Sequence, residues 1–235
     1  TATVTVTPSI GGCDGPSKTF TITVNPTAQV NQPDPVTVCS GGQVAAITFG
    51  TTNTGITPSY NWQVTGDAIG LSSTSGTGAI PTFAAVNGGL SPLTATVTVT
   101  PSIGGCDGPS KTFTITVNPT AQVNQPDPVT VCSGGQVAAI TFGTTNTGIT
   151  PSYNWQVTGD AIGLSSTSGT GAIPTFAAVN GGLSPLTATV TVTPSIGGCD
   201  GPSKTFTITV NPTAQVNQPD PVTVCSGGQV AAITF

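Results

Sequence analysis

A perfect internal repeat constrains this chain more than any other feature. The stretch Thr94–Asn118, TATVTVTPSIGGCDGPSKTFTITVN, also starts at Thr1 and at Thr187, so successive copies lie 93 residues apart. Everything between the copies repeats as well: residues 94–186 match 1–93 letter for letter, and 187–235 match 1–49. A 93-residue period is too long for a solenoid repeat and is about the size of one β-sandwich domain. Any function must therefore belong to a unit that works by being strung together.

The residue inventory excludes several functions. The 235 residues include eight Asp and three Lys but no Glu, Arg or His, for a net charge of −5. No basic patch is available to hold a nucleic-acid backbone. The usual general bases and oxyanion or phosphate clamps are missing, so no enzyme activity is expected. No run approaches the 18 or more apolar residues of a membrane-spanning helix.

Helix signals are nearly absent, while Thr, Val, Gly and Pro dominate. Taken from Thr27 to Pro119, one unit reads as about seven strands with turns every 8–12 residues, the pattern of a Greek-key sandwich. Ala28–Val38 is interrupted by Pro33 and Pro35, which predicts an edge strand in two short pieces. Gln43–Phe49 places Ala45, Ile47 and Phe49 on one face, and Ser59–Val64 places Tyr60, Trp62 and Val64 together. Trp62 and its copy Trp155 are read as core, as a Trp on the third strand of an immunoglobulin-like sandwich would be. Gly66–Leu71 reads as a short edge strand, Ser72–Gly78 as a loop with nothing to pack, and Ala79–Val86 as a strand. The closing hairpin then turns Ala95, Val97, Val99, Phe113, Ile115 and Val117 inward and its Thr rows outward.

In this phase, residues 1–26 are the last hairpin of a unit, 27–119 and 120–212 are complete units, and 213–235 are the first strands of another. The chain reads as a window on a longer array of beads in a stiff rod, since Asn118-Pro119-Thr120 leaves no flexible linker.

Each unit carries two cysteines and no CxxC or Cys/His array, so paired cysteines in an oxidising, extracellular setting fit better than zinc. Same-unit bonds, Cys39–Cys106 and Cys132–Cys199, would each close a 67-residue loop, worth about 4 kcal/mol in the chain-entropy account. A standard sandwich, however, puts the first turn and the last hairpin loop at opposite ends. That leaves an inter-repeat bond, Cys39–Cys199, as the alternative. Same-unit pairing is the expectation, on the ground that Pro33 and Pro35 let the first strand leave the standard path. No cofactor is expected. The nearest polar candidates are Asp34 and Asp127, close to the unit junctions, as ligands of a structural Ca²⁺, against the plainer reading of solvated turns. Lys111 sits in a polar loop and is read as exposed rather than crosslinked.

The series CSGGQVAAITF, YNWQVTGDAIGL, SGTGAIPTFAAVN, TATVTVTP and CDGPSKTFTITVNP resembles the PKD-like, Ig-type repeats of giant cell-surface proteins from Bacteroidetes. The resemblance spans the whole unit. It implies a secreted, surface-attached fibre or adhesin. Such proteins often leave the cell by type IX secretion and are sometimes linked to gliding motility. The expected partners are neighbouring repeats of the same chain, with surface glycans or other cells met through a domain outside this sequence. Two functions stay open at this point: a non-catalytic stalk that projects a binding tip, and an array of weak glycan- or protein-binding modules acting through avidity.

Overall fold

A computed structural model describes residues 1–234 and contains no helix among them. The chain divides into two compact units, Thr1–Thr120 with Thr147–Ile149, and Ala121–Asn146 with the chain from Thr150 on.

The first unit opens with a hairpin of β1 (Ala2–Val6) and β4 (Lys18–Ile22), carrying the small ladder of β2 (Ser9–Ile10) and β3 (Cys13–Asp14) at its tip. A sandwich follows, from β5 (Val36–Cys39), β6 (Gln43–Val44), β7 (Ser59–Gly66), β8 (Ser75–Thr77), β9 (Phe83–Ala84), β10 (Leu93–Ile103), β11 (Cys106–Asp107) and β12 (Lys111–Asn118). The larger sheet has the order β5-β12-β10-β7-β8, with β11 folded back on β10. All its pairs are antiparallel except β5 with β12, which runs parallel from Ile115↔Val36 to Asn118↔Cys39. The facing layer is small: β6 pairs with β9, and an isolated bridge joins Ile47 to Ile80.

The second unit repeats the sandwich as β13 (Val129–Cys132), β14 (Gln136–Val137), β15 (Ser152–Gly159), β16 (Ser168–Thr170), β17 (Phe176–Ala177), β18 (Leu186–Ile196), β19 (Cys199–Asp200) and β20 (Lys204–Asn211). Its sheet order is β13-β20-β18-β15-β16, again with a separate β14–β17 pair. Each unit is an Ig-like, all-β sandwich.

The strict alternation of β7, β10 and β12 explains the core. Tyr60, Trp62 and Val64 are buried from β7, as are Ala95, Val97 and Val99 from β10 and Phe113, Ile115 and Val117 from β12. They meet Val44, Ile69, Ile80, Phe83 and Ala85 from the other side. Thr rows face out, where β-branched residues hold strand geometry without needing a partner.

The structure departs from the sequence reading in three places. Ala45 is exposed, and Val44 takes the inward position, because the pairing of β6 with β9 breaks after Val44 and resumes only at Ile47. Gly66–Leu71 forms no strand after β7, and the edge strand lies instead at Ser75–Thr77, inside the stretch read as a loop. The Gly76 backbone passes so close over the Trp62 indole that a Cβ there would collide with the ring. The loop therefore does have something to pack, which a Ser/Thr/Gly composition does not advertise. Finally, the broken first strand switches layers. The Asn31 amide donates to the Gly50 carbonyl of the small layer at 2.9 Å, and after Pro33 and Pro35 the chain joins the large sheet as β5.

Candidate functional site

Trp62 and Trp155 are each 5 % exposed and lie in the centre of their cores, so neither ring is offered to a ligand. Their indole N–H groups are buried without a hydrogen-bond partner. The ring is held for its bulk, and the unpaired donor lowers what burial contributes.

Asparagines that alternation cannot flag tie the loops down. Asn87 is 4 % exposed; its amide donates to the carbonyls of Ser91 (2.9 Å) and Val117 (2.8 Å), and its Oδ1 accepts from the Gly89 amide. Asn53 accepts from the Gln29 amide at 2.8 Å and donates to the Thr27 carbonyl at 3.0 Å, fastening the Gly50–Pro58 loop to the start of the unit. Short polar side chains that bond nearby backbone groups suit such turns. The Asn-Gly-Gly and Thr-x-Asn sequences were the available signals.

The layer switch of the first strand opens a groove of about 500 Å³ in each unit. In the first unit its lining includes Asn31, Gln32, Asp34, Val38, Ile47 and Phe49. The second unit repeats it with Asn124, Gln125, Asp127, Val131, Ile140 and Phe142. Gln32 pins the crossing segment by donating to the Thr112 carbonyl at 2.8 Å, as Gln125 does to Thr205. The proposed calcium residues thus sit on the groove rim. Asp34 and Asp127 are the single carboxylates of their grooves, and among the described residues no three acidic, Cys or His side chains gather. Lys111 is exposed.

The cysteines differ from expectation. Cys39 and Cys199 are disulfide-bonded, while Cys13, Cys106, Cys132 and Cys225 are free and exposed. Neither same-unit bond, Cys39–Cys106 or Cys132–Cys199, is formed. Strand register explains why. Cys39 is level with Asn118, beside the Leu93 end of β10, whereas Cys106 is level with Ile103 at the other end. Ten residue steps of strand separate the two levels, roughly 33 Å at ~3.3 Å per residue. A disulfide needs Cα atoms within about 7 Å. The prolines do divert the first strand, but only between layers and never back down the sheet.

The chain is similar in fold to solved tandem-domain structures. A run of titin domains shares 15 % identity, covering 87 % of this chain and 72 % of that one, with a TM-score of 0.44. The FN1–FN3 domains of chicken CNTN1 share 12 % identity, covering 79 % and 69 %, with a TM-score of 0.35. No protein-family description and no curated protein matches the sequence.

Proposed function

We propose that this chain is part of the non-catalytic shaft of an extracellular cell-surface fibre or adhesin, which carries a binding tip elsewhere. The observation behind this reading is that the 93-residue unit closes twice into its own Trp-centred core, with its polar side chains spent on tying loops rather than converging on a site. A repeated, self-contained sandwich is what a spacer requires. The disulfide-bonded cysteines suit an oxidising location outside the cell. The resemblance to Bacteroidetes surface repeats adds type IX export and a link to adhesion or gliding. Antibodies against the chain, applied in parallel to intact source cells and to thin sections of the same cells and read by electron microscopy, test the proposal. Label on filaments that stand off the envelope is the expected result, and label confined to the cytoplasm overturns it.

The identical grooves at residues 31–50 and 124–143 favour a second reading, in which each unit holds a weak glycan or peptide site and the array gains strength by avidity. A glycan array probed with the whole chain separates the two. Selective micromolar binding, lost when Phe49→Ala and Phe142→Ala are combined, supports modules over spacer.

A further inference from the structure

Each sandwich contains one Asn-Gly and one Asp-Gly pair: Asn87-Gly88 and Asp107-Gly108 in the first unit, Asn180-Gly181 and Asp200-Gly201 in the second. A glycine leaves its own amide nitrogen unhindered, so in such pairs that nitrogen can attack the side-chain carbonyl carbon of the preceding residue. The fold treats the two pairs differently. The Gly108 amide donates to the Pro101 carbonyl at 2.8 Å, and the Gly201 amide to the Pro194 carbonyl at 2.8 Å. Both glycines are also pressed against backbone, Gly108 against Ala28 and Gly201 against Ala121. The Gly88 and Gly181 amides carry no hydrogen bond among the described residues, and nothing stands within 4 Å of a Cβ built at either. In the Asn-Gly pair the nucleophile is therefore available.

The carbon it would attack is held. The buried Asn87 amide group makes three bonds: Nδ2 donates to the Ser91 and Val117 carbonyls at 2.9 and 2.8 Å, and Oδ1 accepts from the Gly89 amide at 2.9 Å. The backbone of Asn87 is clamped as well, its amide donating to Ser40 Oγ at 3.0 Å and its carbonyl accepting from the same hydroxyl at 2.9 Å. Asn180 repeats the pattern with Ser184, Val210, Gly182 and Ser133. Attack needs the amide to turn its face to the glycine nitrogen, whereas hydrogen bonds prefer to lie near the amide plane. Turning the group gives up all three bonds together. Val117 belongs to β12 and Ser40 follows β5 directly, so these bonds are lost when that end of the unit opens.

We propose that Asn87-Gly88 and Asn180-Gly181 are deamidation sites which the closed unit protects and the opened unit exposes, so that each unit keeps an irreversible record of having opened. In the opened unit the Gly88 nitrogen gives its proton to water and bonds to Asn87 Cγ. The Cγ–Nδ2 bond breaks and ammonia leaves. The resulting cyclic imide takes up one water, which opens the ring at either carbonyl to give aspartate or isoaspartate. No electrons are exchanged with any other reagent. Either product spoils the latch. Aspartate presents an acceptor where Nδ2 donated, against two carbonyls that are acceptors themselves, at a buried position where a charge without a donor is costly. Isoaspartate lengthens the backbone of the turn. The modified unit cannot remake the bonds that protected it. The chemistry is the same whether or not the array is a stalk.

The test incubates the whole chain at mildly alkaline pH, folded and in urea, and follows deamidation of Asn87 and Asn180 by peptide mapping. The two copies give one and the same peptide and are read together. Modification should be at least about tenfold slower in the folded chain, since reaction must wait for a local opening that costs several hydrogen bonds. Ser40→Ala combined with Ser133→Ala removes the backbone clamp and keeps the Asn-Gly pair. It should raise the folded rate and leave the rate in urea unchanged. Gly88→Ala combined with Gly181→Ala, a methyl the fold has room for, should slow the reaction in both states. Equal rates for the folded and the urea-unfolded wild type would overturn the protection. The consequence is tested on chain deamidated in urea and refolded, and on Asn87→Asp combined with Asn180→Asp. Both should unfold at a lower denaturant midpoint than the parent or fail to fold, and unchanged midpoints would overturn the irreversible record.

Discussion

Phe20 and Phe113 occupy the same place in the same letters, and their strands pair in the same register, Val4↔Phe20 and Val97↔Phe113. Yet Phe20 is 52 % exposed and Phe113 is 5 % exposed. The hairpin of residues 1–26 forms from its own alternation and its Gly-Gly turn. It lacks a facing layer, so its inward side chains meet water. The opposite case is Val222–Cys225, which repeats Val36–Cys39 and forms no strand. A first strand pairs in parallel with the closing strand of its unit, as β5 does with β12, and among the described residues 213–234 no strand forms. The closing hairpin pairs with itself, whereas the first strand is a strand where a parallel partner lies beside it.

The largest expected effect breaks this comparison most directly. Phe113→Ala should cost about 3–5 kcal/mol in denaturant unfolding, as full truncation of a core aromatic does. Phe20→Ala should stay within about 0.5 kcal/mol, as exposed positions do. Equal costs would show that the opening hairpin is buried. Next, Gly76→Ala drives a Cβ into the Trp62 ring and should cost about 1–3 kcal/mol in the same titration. Gly88→Ala, where nothing stands within 4 Å of the new Cβ, is the matched control.

Asn87→Ala tests the latch that the hairpin of residues 1–26 does without. It leaves the Ser91 and Val117 carbonyls without their donor and should cost about 1–2 kcal/mol, with faster amide exchange at the Gly89 turn.

The smallest effect is a pH dependence in the second unit. Burial raises the Tyr153 phenol above its ordinary value of about 10, against a smaller opposing effect of the Thr144 side-chain hydrogen bond. In the unfolded chain the phenol ionises at about 10, while the folded one keeps its proton to higher pH. The unfolded state therefore holds fewer protons in that window, and stability falls as pH rises from the unfolded value toward the folded one. Tyr153→Phe should flatten that alkaline decline, read as the unfolding midpoint against pH.

Alternation made most of the fold legible. The period of two in YNWQV, TATVTVT and KTFTITV placed three strands and the inward residues of each, since successive side chains of a strand point to opposite faces. It placed Trp62 and Trp155 in the core. It did not place β8, whose Ser-Gly-Thr matters only because a glycine admits the indole, nor the Val44 inward position, which depends on where pairing with β9 breaks off. The groove and its rim residues Asp34 and Asp127 arise from a strand changing layers. The two prolines announced an interruption without saying where the chain would go next.

The sequence alone determined the unit, its length, its strand-rich character and its hairpin, because these depend on neighbours within a few residues and on a repeat that can be counted. The tertiary structure alone decided which cysteines can meet. Six cysteines spaced 26 and 67 residues apart leave the pairing open. The parallel alignment of β5 with β12 fixes Cys39 and Cys106 at opposite ends of one sheet, and no covalent bond can span that distance.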